Sequence, residues 1–159
     1  MNRQCGRGRY PSDRSILHLK GELDMEKADI FSGFTPEEEA AYAAEVERLY
    51  DPETVRASKR RWKEYGTARQ KEIMEEGKRI YLDFADAMDR GMKPDSAEVQ
   101  AITLRWRRNI EHFWTPRKDQ LAPLARNYSA DPRFRKTFEA IRPGLAEYVG
   151  RAVEVYALK

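Results

Sequence analysis

The stretch WTPRKDQLAPLARNYSADPRFRKTFEAIRPGLAEYVGRAVEVY, residues 114–156, decides the fold class of this chain. No run in it alternates apolar and polar residues with period two over a useful length, and no Asn-Gly hairpin turn occurs. Its punctuation is that of helices. Trp114 closes a helical run that carries Ile110 and Phe113, and Pro116 breaks the chain just after it. A shorter helix holds Leu121 and Leu124, and Tyr128 stands at the break that follows. Asp131-Pro132 opens the next helix, because an aspartate can cap and a proline fits the first helical position. Pro143 opens the last one, with Leu145, Tyr148, Val149, Ala152, Val153 and Tyr156 on one face.

The same logic extends upstream. Thr35-Pro36-Glu37-Glu38 combines a capping threonine, a first-turn proline and glutamates that favour the positive end of the helix dipole, and Glu38 completes a capping box. Tyr42, Val46, Leu49 and Tyr50 then recur at helical spacing. Asp51-Pro52-Glu53 starts a second helix that runs to Gly66. Thr67 caps the longest helix, whose face is Ile73, Gly77, Ile80, Tyr81, Phe84 and Met88 and which ends at Gly91. Asp95 or Ser96 caps the next, with Val99, Ile102, Trp106, Ile110 and Phe113 in line. The chain reads as all-α, with about six or seven helices.

Composition agrees. At 159 residues the chain has the length of one domain with a core of ordinary size. Charged residues make up 36% and apolar ones 40%, the balance of a bundle with heavily solvated helix faces. No apolar run reaches the roughly 18 residues of a membrane span. Arg3, Arg7 and Arg9 precede no apolar segment, which argues against a secretory signal. The single Cys5 excludes an internal disulfide and offers no metal cluster, so a cytoplasmic setting is expected. Residues 1–27 carry scattered glycines and arginines with little apolar periodicity. They read as a flexible tail ahead of a helical domain over residues 28–159, with Met25 as an alternative start.

The order of turns and aromatics resembles the TipAS-like antibiotic-recognition domain, the effector half of thiopeptide-induced regulators of the MerR type. The resemblance rests on residues 114–156, on GFTPEEEAAYAAEVERLYD at residues 33–51, which is similar to the family's opening helix, and on MDRGMKPDSAEVQ at residues 88–100, which is similar to its central helix-turn-helix joint. It implies a globin-like bundle and a cleft between the C-terminal helices and an N-terminal part. It also implies that a thiopeptide-like small-molecule antibiotic is the partner. In the family's founder a cysteine follows the proline after this helix and can add to a dehydroalanine of the drug. The sequence here is Trp114-Thr115-Pro116-Arg117, so any binding by that route is reversible. The resemblance leaves no DNA-binding domain in residues 1–34, so no direct DNA binding by this chain alone is expected, and it reads as a stand-alone drug-sequestering protein or a piece of a regulator.

Candidate ligand contacts come from the aromatic set. Trp62, Tyr65, Tyr81, Trp106, Phe113, Trp114 and Tyr128 are many large rings for a small helical domain. Rings at helical spacing usually form core, but Trp and Tyr carry a polar edge that suits the wall of a cleft, and flat heteroaromatic rings stack on such walls. The resemblance favours the rings of the Trp106–Trp114 segment and Tyr128. Asn109, one turn before Phe113, can offer an amide to an amide-rich ligand. The expected function is non-covalent binding, for sequestration or sensing, of a peptide-type antibiotic or a similar hydrophobic, heteroaromatic molecule.

Signals for catalysis are missing. His18 and His112 are the only histidines, and no Gly-rich phosphate loop, nucleophile elbow or HExxH pair occurs. No enzyme activity, cofactor or metal site is expected, and the Glu37-Glu38-Glu39 run is explained by the helix dipole. Lys59-Arg60-Arg61-Trp62-Lys63 and the Arg105, Arg107, Arg108 set support an alternative, a protein-interaction or nucleic-acid-associated helical domain without a drug site. Acidic residues interleave with both clusters, which favours solvated helix faces over a binding footprint.

Overall fold

The computed structural model describes residues 34–159. The expectations for residues 1–27, Met25, Cys5 and His18 lie outside them. Six helices follow in order among the described residues: α1 Pro36–Leu49, α2 Pro52–Asp89, α3 Ala97–Ile110, α4 Lys118–Ala130, α5 Pro132–Ile141 and α6 Leu145–Ala157. The capping signals explain most of the starts. Thr35 and Glu38 form a reciprocal capping box, and the side chains of Asp51, Ser96 and Asp131 each accept a first-turn backbone N–H.

Several boundaries differ from the sequence reading: α3 ends at Ile110, before Phe113 and Trp114, and α4 runs past Tyr128 to Ala130. Gly66 does not end a helix; α2 runs through it and bends there, because Gly66 alone leaves helical geometry (φ 77°, ψ 166°). Gln70 Nε2 donates to the Trp62 carbonyl across the bend at 2.8 Å, so the ladder interrupted there regains a partner. Pro143 does not open the last helix. Gly144 takes a left-handed conformation (φ 87°) and its N–H donates to the Glu139 carboxylate at 3.0 Å, so α6 starts at Leu145.

The core sits where α4 and α6 face each other and α2 and α3 close over them. Phe84, Trp106, Leu121, Phe138, Leu145, Val149 and Val153 are sealed from solvent. Polar ties fix the register of these layers. Gln100 Nε2 donates to the Ala152 carbonyl at 3.0 Å, and the Tyr148 hydroxyl donates to the Met92 carbonyl at 2.8 Å. By contrast, α1 buries no residue of its own. It is held by rings and charges: Phe34 and Tyr42 pack edge-on against Phe134, Glu45 pairs with Arg133, and Glu38 pairs with Lys136. No helix among the described residues is long and apolar enough to cross a membrane.

Candidate functional site: an aromatic cleft under the first helix

A cleft of about 200 Å³ opens between the second half of α2, the end of α3 and the α4–α5 corner. From α2 come Ile73, Met74, Gly77, Lys78 and Tyr81, a stripe at helical spacing. From α3 and the turn after it come Asn109, Ile110, Phe113 and Trp114. Leu124, Tyr128 and Phe134 form the far wall, and Tyr42 of α1 leans over it. A second lobe of about 230 Å³ lies between α1 and the start of α2, lined by residues such as Val46, Tyr50 and Val55. Tyr42, Trp114 and Leu124 line both lobes, so the two lobes adjoin at these three residues.

Of the ligand candidates, Tyr81, Asn109, Phe113, Trp114 and Tyr128 line the first lobe. Trp114 is half-buried and packs edge-on against Tyr50 at 5.7 Å. Trp62 and Tyr65 line neither lobe; they brace it from behind. Trp62 stacks on Phe113 at 5.0 Å, and the Tyr65 hydroxyl donates to the His112 carbonyl at 3.0 Å. Trp106 lines neither lobe, because it is 1% exposed inside the core. Tyr128 does not stand at an open break between helices. It lies in the last turn of α4, stacked on Phe138 at 4.6 Å, and presents only a small part of its ring to the cleft floor.

Three polar groups meet at that floor. Trp106 Nε1 donates to the Tyr128 hydroxyl at 3.3 Å, and the Tyr81 and Tyr128 hydroxyls lie 3.4 Å apart. Burial pushes both phenols above the usual tyrosine range, and burial likewise pushes Tyr42 up to about 12. All three therefore carry their protons at neutral pH. Asn109 is already engaged: its Nδ2 donates to the Ile73 carbonyl at 3.0 Å. Sequence reasoning missed Tyr42, Lys78, Leu124 and Phe134 as lining. The helical spacing of Tyr42 was visible, but only the docking of α1 on Phe134 turns that ring into a wall.

The basic clusters are partly paired within the chain. Lys59 pairs with Glu47, Arg60 with Glu53, and Arg61 donates to the Glu111 carbonyl. Arg105 bridges Asp83 and Glu76 at 2.6 and 2.7 Å. Among the described residues no group of His, Cys, Asp and Glu is placed to hold a metal ion.

A family model described as the TipAS antibiotic-recognition domain matches residues 42–156. The chain belongs to the TipAS family. The transcriptional regulator SkgA of Caulobacter vibrioides is 35% identical over 91% of this chain and 59% of its own length. The activator mta of Bacillus subtilis is 31% identical over 91% of the chain and 57% of its own. The chain thus spans little more than half the length of these helix-turn-helix regulators. The solved structure of Streptomyces lividans TipAS in complex with nosiheptide is 27% identical and covers 84% of this chain and 92% of that one, with a TM-score of 0.66. The six helices therefore form the globin-like bundle of the TipAS fold. Arg117, which follows Pro116, lines neither lobe of the groove. It is exposed, pairs with Asp119 at 3.1 Å, and its N–H donates to Gln120 at the start of α4.

Proposed function

We propose that this chain binds a peptide-type antibiotic, or a similar flat heteroaromatic molecule, non-covalently in the groove beneath α1, and that it acts as a binding domain and not as an enzyme. The observation that carries the reading is the shared neck of Tyr42, Trp114 and Leu124. Each lobe alone is smaller than the roughly 300 Å³ at which drug-sized pockets begin, and the two together exceed it. A ligand long enough to lie through the neck uses both, stacking its rings between Tyr42 and Trp114. Membership of the TipAS family, and a relative solved with a thiopeptide, point to the same class of ligand. The single thiol of the sequence is Cys5, outside the described residues, and no cysteine among the described residues lines either lobe. Binding is therefore reversible.

Thermal-shift titration with a thiopeptide tests this, since a ligand of the folded state raises the melting temperature by mass action. A saturable rise is expected. Intact-mass spectrometry of the same mixture should show unmodified protein. No shift at solubility-limited thiopeptide, or an adduct mapped to the helical domain, would remove the reading.

A further inference from the structure

The floor of the first lobe holds one more donor proton than it has hydrogen bonds. Trp106 Nε1–H is a donor only, and it goes to the Tyr128 oxygen. The Tyr81 and Tyr128 hydroxyls share a second bond. Whichever tyrosine donates in that bond, the other keeps an O–H with no acceptor. If Tyr81 donates, the Tyr128 proton is left over; if Tyr128 donates, the Tyr81 proton is. Tyr81 is 5% and Tyr128 3% exposed, so bulk water does not satisfy it freely, and both residues line the cleft. The N–H···O contact of 3.3 Å and the O–H···O contact of 3.4 Å are each longer than the usual distances of roughly 3.0 and 2.8 Å, so the pair can rotate to serve a third partner. The rest of the lining has the same polarity. Lys78 is the charged side chain among the described residues of this lobe, and it has no ion-pair partner among them. No carboxylate among the described residues lines the lobe.

We infer that this floor selects for a hydrogen-bond acceptor: the surplus O–H shared by Tyr81 and Tyr128 donates to an azole nitrogen or carbonyl oxygen of the bound molecule. The inference rests on the groove being the ligand site and adds the polarity it demands at one place. A buried donor without an acceptor is costly, so a ligand that brings one gains more than its buried area gives. A ligand that presents C–H there leaves the proton stranded.

Two matched probes test this, 2-phenylthiazole and 2-phenylthiophene, which share shape and differ in the ring nitrogen. Affinities are measured by NMR titration on the full chain. The thiazole is expected to bind about fivefold more tightly than the thiophene, the worth of one hydrogen bond. Tyr81→Phe and Tyr128→Phe should each keep the preference, because one hydroxyl still lacks an acceptor. The double variant should reduce it to less than about twofold, since neither floor hydroxyl remains; Tyr42 lines the lobe from α1 and Trp106 is sealed beneath the floor. Equal affinities of the wild type for the two probes overturn the inference and leave the groove reading intact. So does a preference that survives the double variant or that each single variant abolishes alone. Binding of neither probe in the first lobe overturns both readings. The wild-type comparison decides on its own should the double variant fold poorly.

Discussion

Gly77 and Asn109 meet with no side chain between them: a Cβ on Gly77 would lie 3.1 Å from Asn109 Oδ1, while Asn109 Nδ2 donates to the Ile73 carbonyl one turn earlier at 3.0 Å. The missing side chain lets α3 approach α2, and the amide uses the space to bond the α2 backbone. Alanine in a helix interior is favoured over glycine by about 0.5–1 kcal/mol. Displacing Asn109 from its bond costs about 1 kcal/mol. Gly77→Ala should therefore leave stability nearly unchanged in the wild type and raise it by about 0.5–1 kcal/mol in an Asn109→Ala background. Urea denaturation of the four proteins measures the coupling. Equal effects of Gly77→Ala in both backgrounds would show that Asn109 is not in the way.

The bend in α2 rests on one residue. Gly66 has φ 77° and ψ 166°, a region essentially confined to glycine, and no atom would touch a Cβ there. Gly66→Ala should cost about 1–3 kcal/mol through backbone strain alone. Gly66→Asn should cost nearly as much, since ψ 166° lies far from the left-handed helical well that asparagine tolerates. Unchanged denaturation midpoints in both variants would mean that α2 straightens without penalty.

The clasp of α1 should fail in acid. The Arg133 guanidinium grips Glu45 at 2.9 and 3.0 Å and Asp131 at 2.6 Å, and lies over the Tyr42 ring. Hydrogen bonding to Arg133 holds both carboxyls below their ordinary ranges. A depressed carboxyl stabilises the folded state above its unfolded pKa, roughly 4, and that contribution disappears as pH falls through the folded value. Hydrogen exchange in α1 should therefore rise relative to α4 and α6 as pH drops from about 5 toward 3, after correction for the intrinsic rate. Arg133→Met should give fast exchange in α1 at all pH values, on the order of tenfold above wild type at pH 7. Parallel behaviour of α1 and the core in both proteins would place the hold of α1 elsewhere.

Helix starts were legible because caps are local. Thr35, Asp51, Ser96 and Asp131 each bond a backbone N–H within three residues, so neighbouring sequence contains the whole interaction. Gly66 was legible as a break but not as a bend, since the chain on both sides is equally helical. The Pro143 start was misplaced because the Glu139 carboxylate, from the preceding helix, captures the Gly144 N–H. The rings were harder still. Trp106 and Trp114 lie eight residues apart, yet one is sealed in the core against Tyr128 of α4 and the other stands at the neck of the groove. That difference is made by Tyr128, Tyr42 and Leu124, which are distant in sequence.

Those two tryptophans give the sharpest separation of wall from core. Trp106 is 1% exposed and donates to Tyr128, so Trp106→Ala removes a large buried ring and one buried hydrogen bond. It should cost about 3–5 kcal/mol of stability. Trp114 is half-buried, packs on Tyr50 and lines both lobes. Its ring touches neighbours on one side and the groove on the other, so truncation should cost the fold only about 1 kcal/mol or a little more. If a thiopeptide lies through the neck, the ligand loses its stacking partner, and a truncated hot-spot ring is worth about 2 kcal/mol, more than tenfold in affinity. Calorimetry with a thiopeptide and denaturation of both variants check this together. Trp114→Ala should bind weakly and melt almost normally; Trp106→Ala should melt early, with any loss of binding explained by the unfolded fraction. If Trp114→Ala instead unfolds the chain while the folded fraction binds as tightly as wild type, Trp114 belongs to the core and the ligand does not pass the neck.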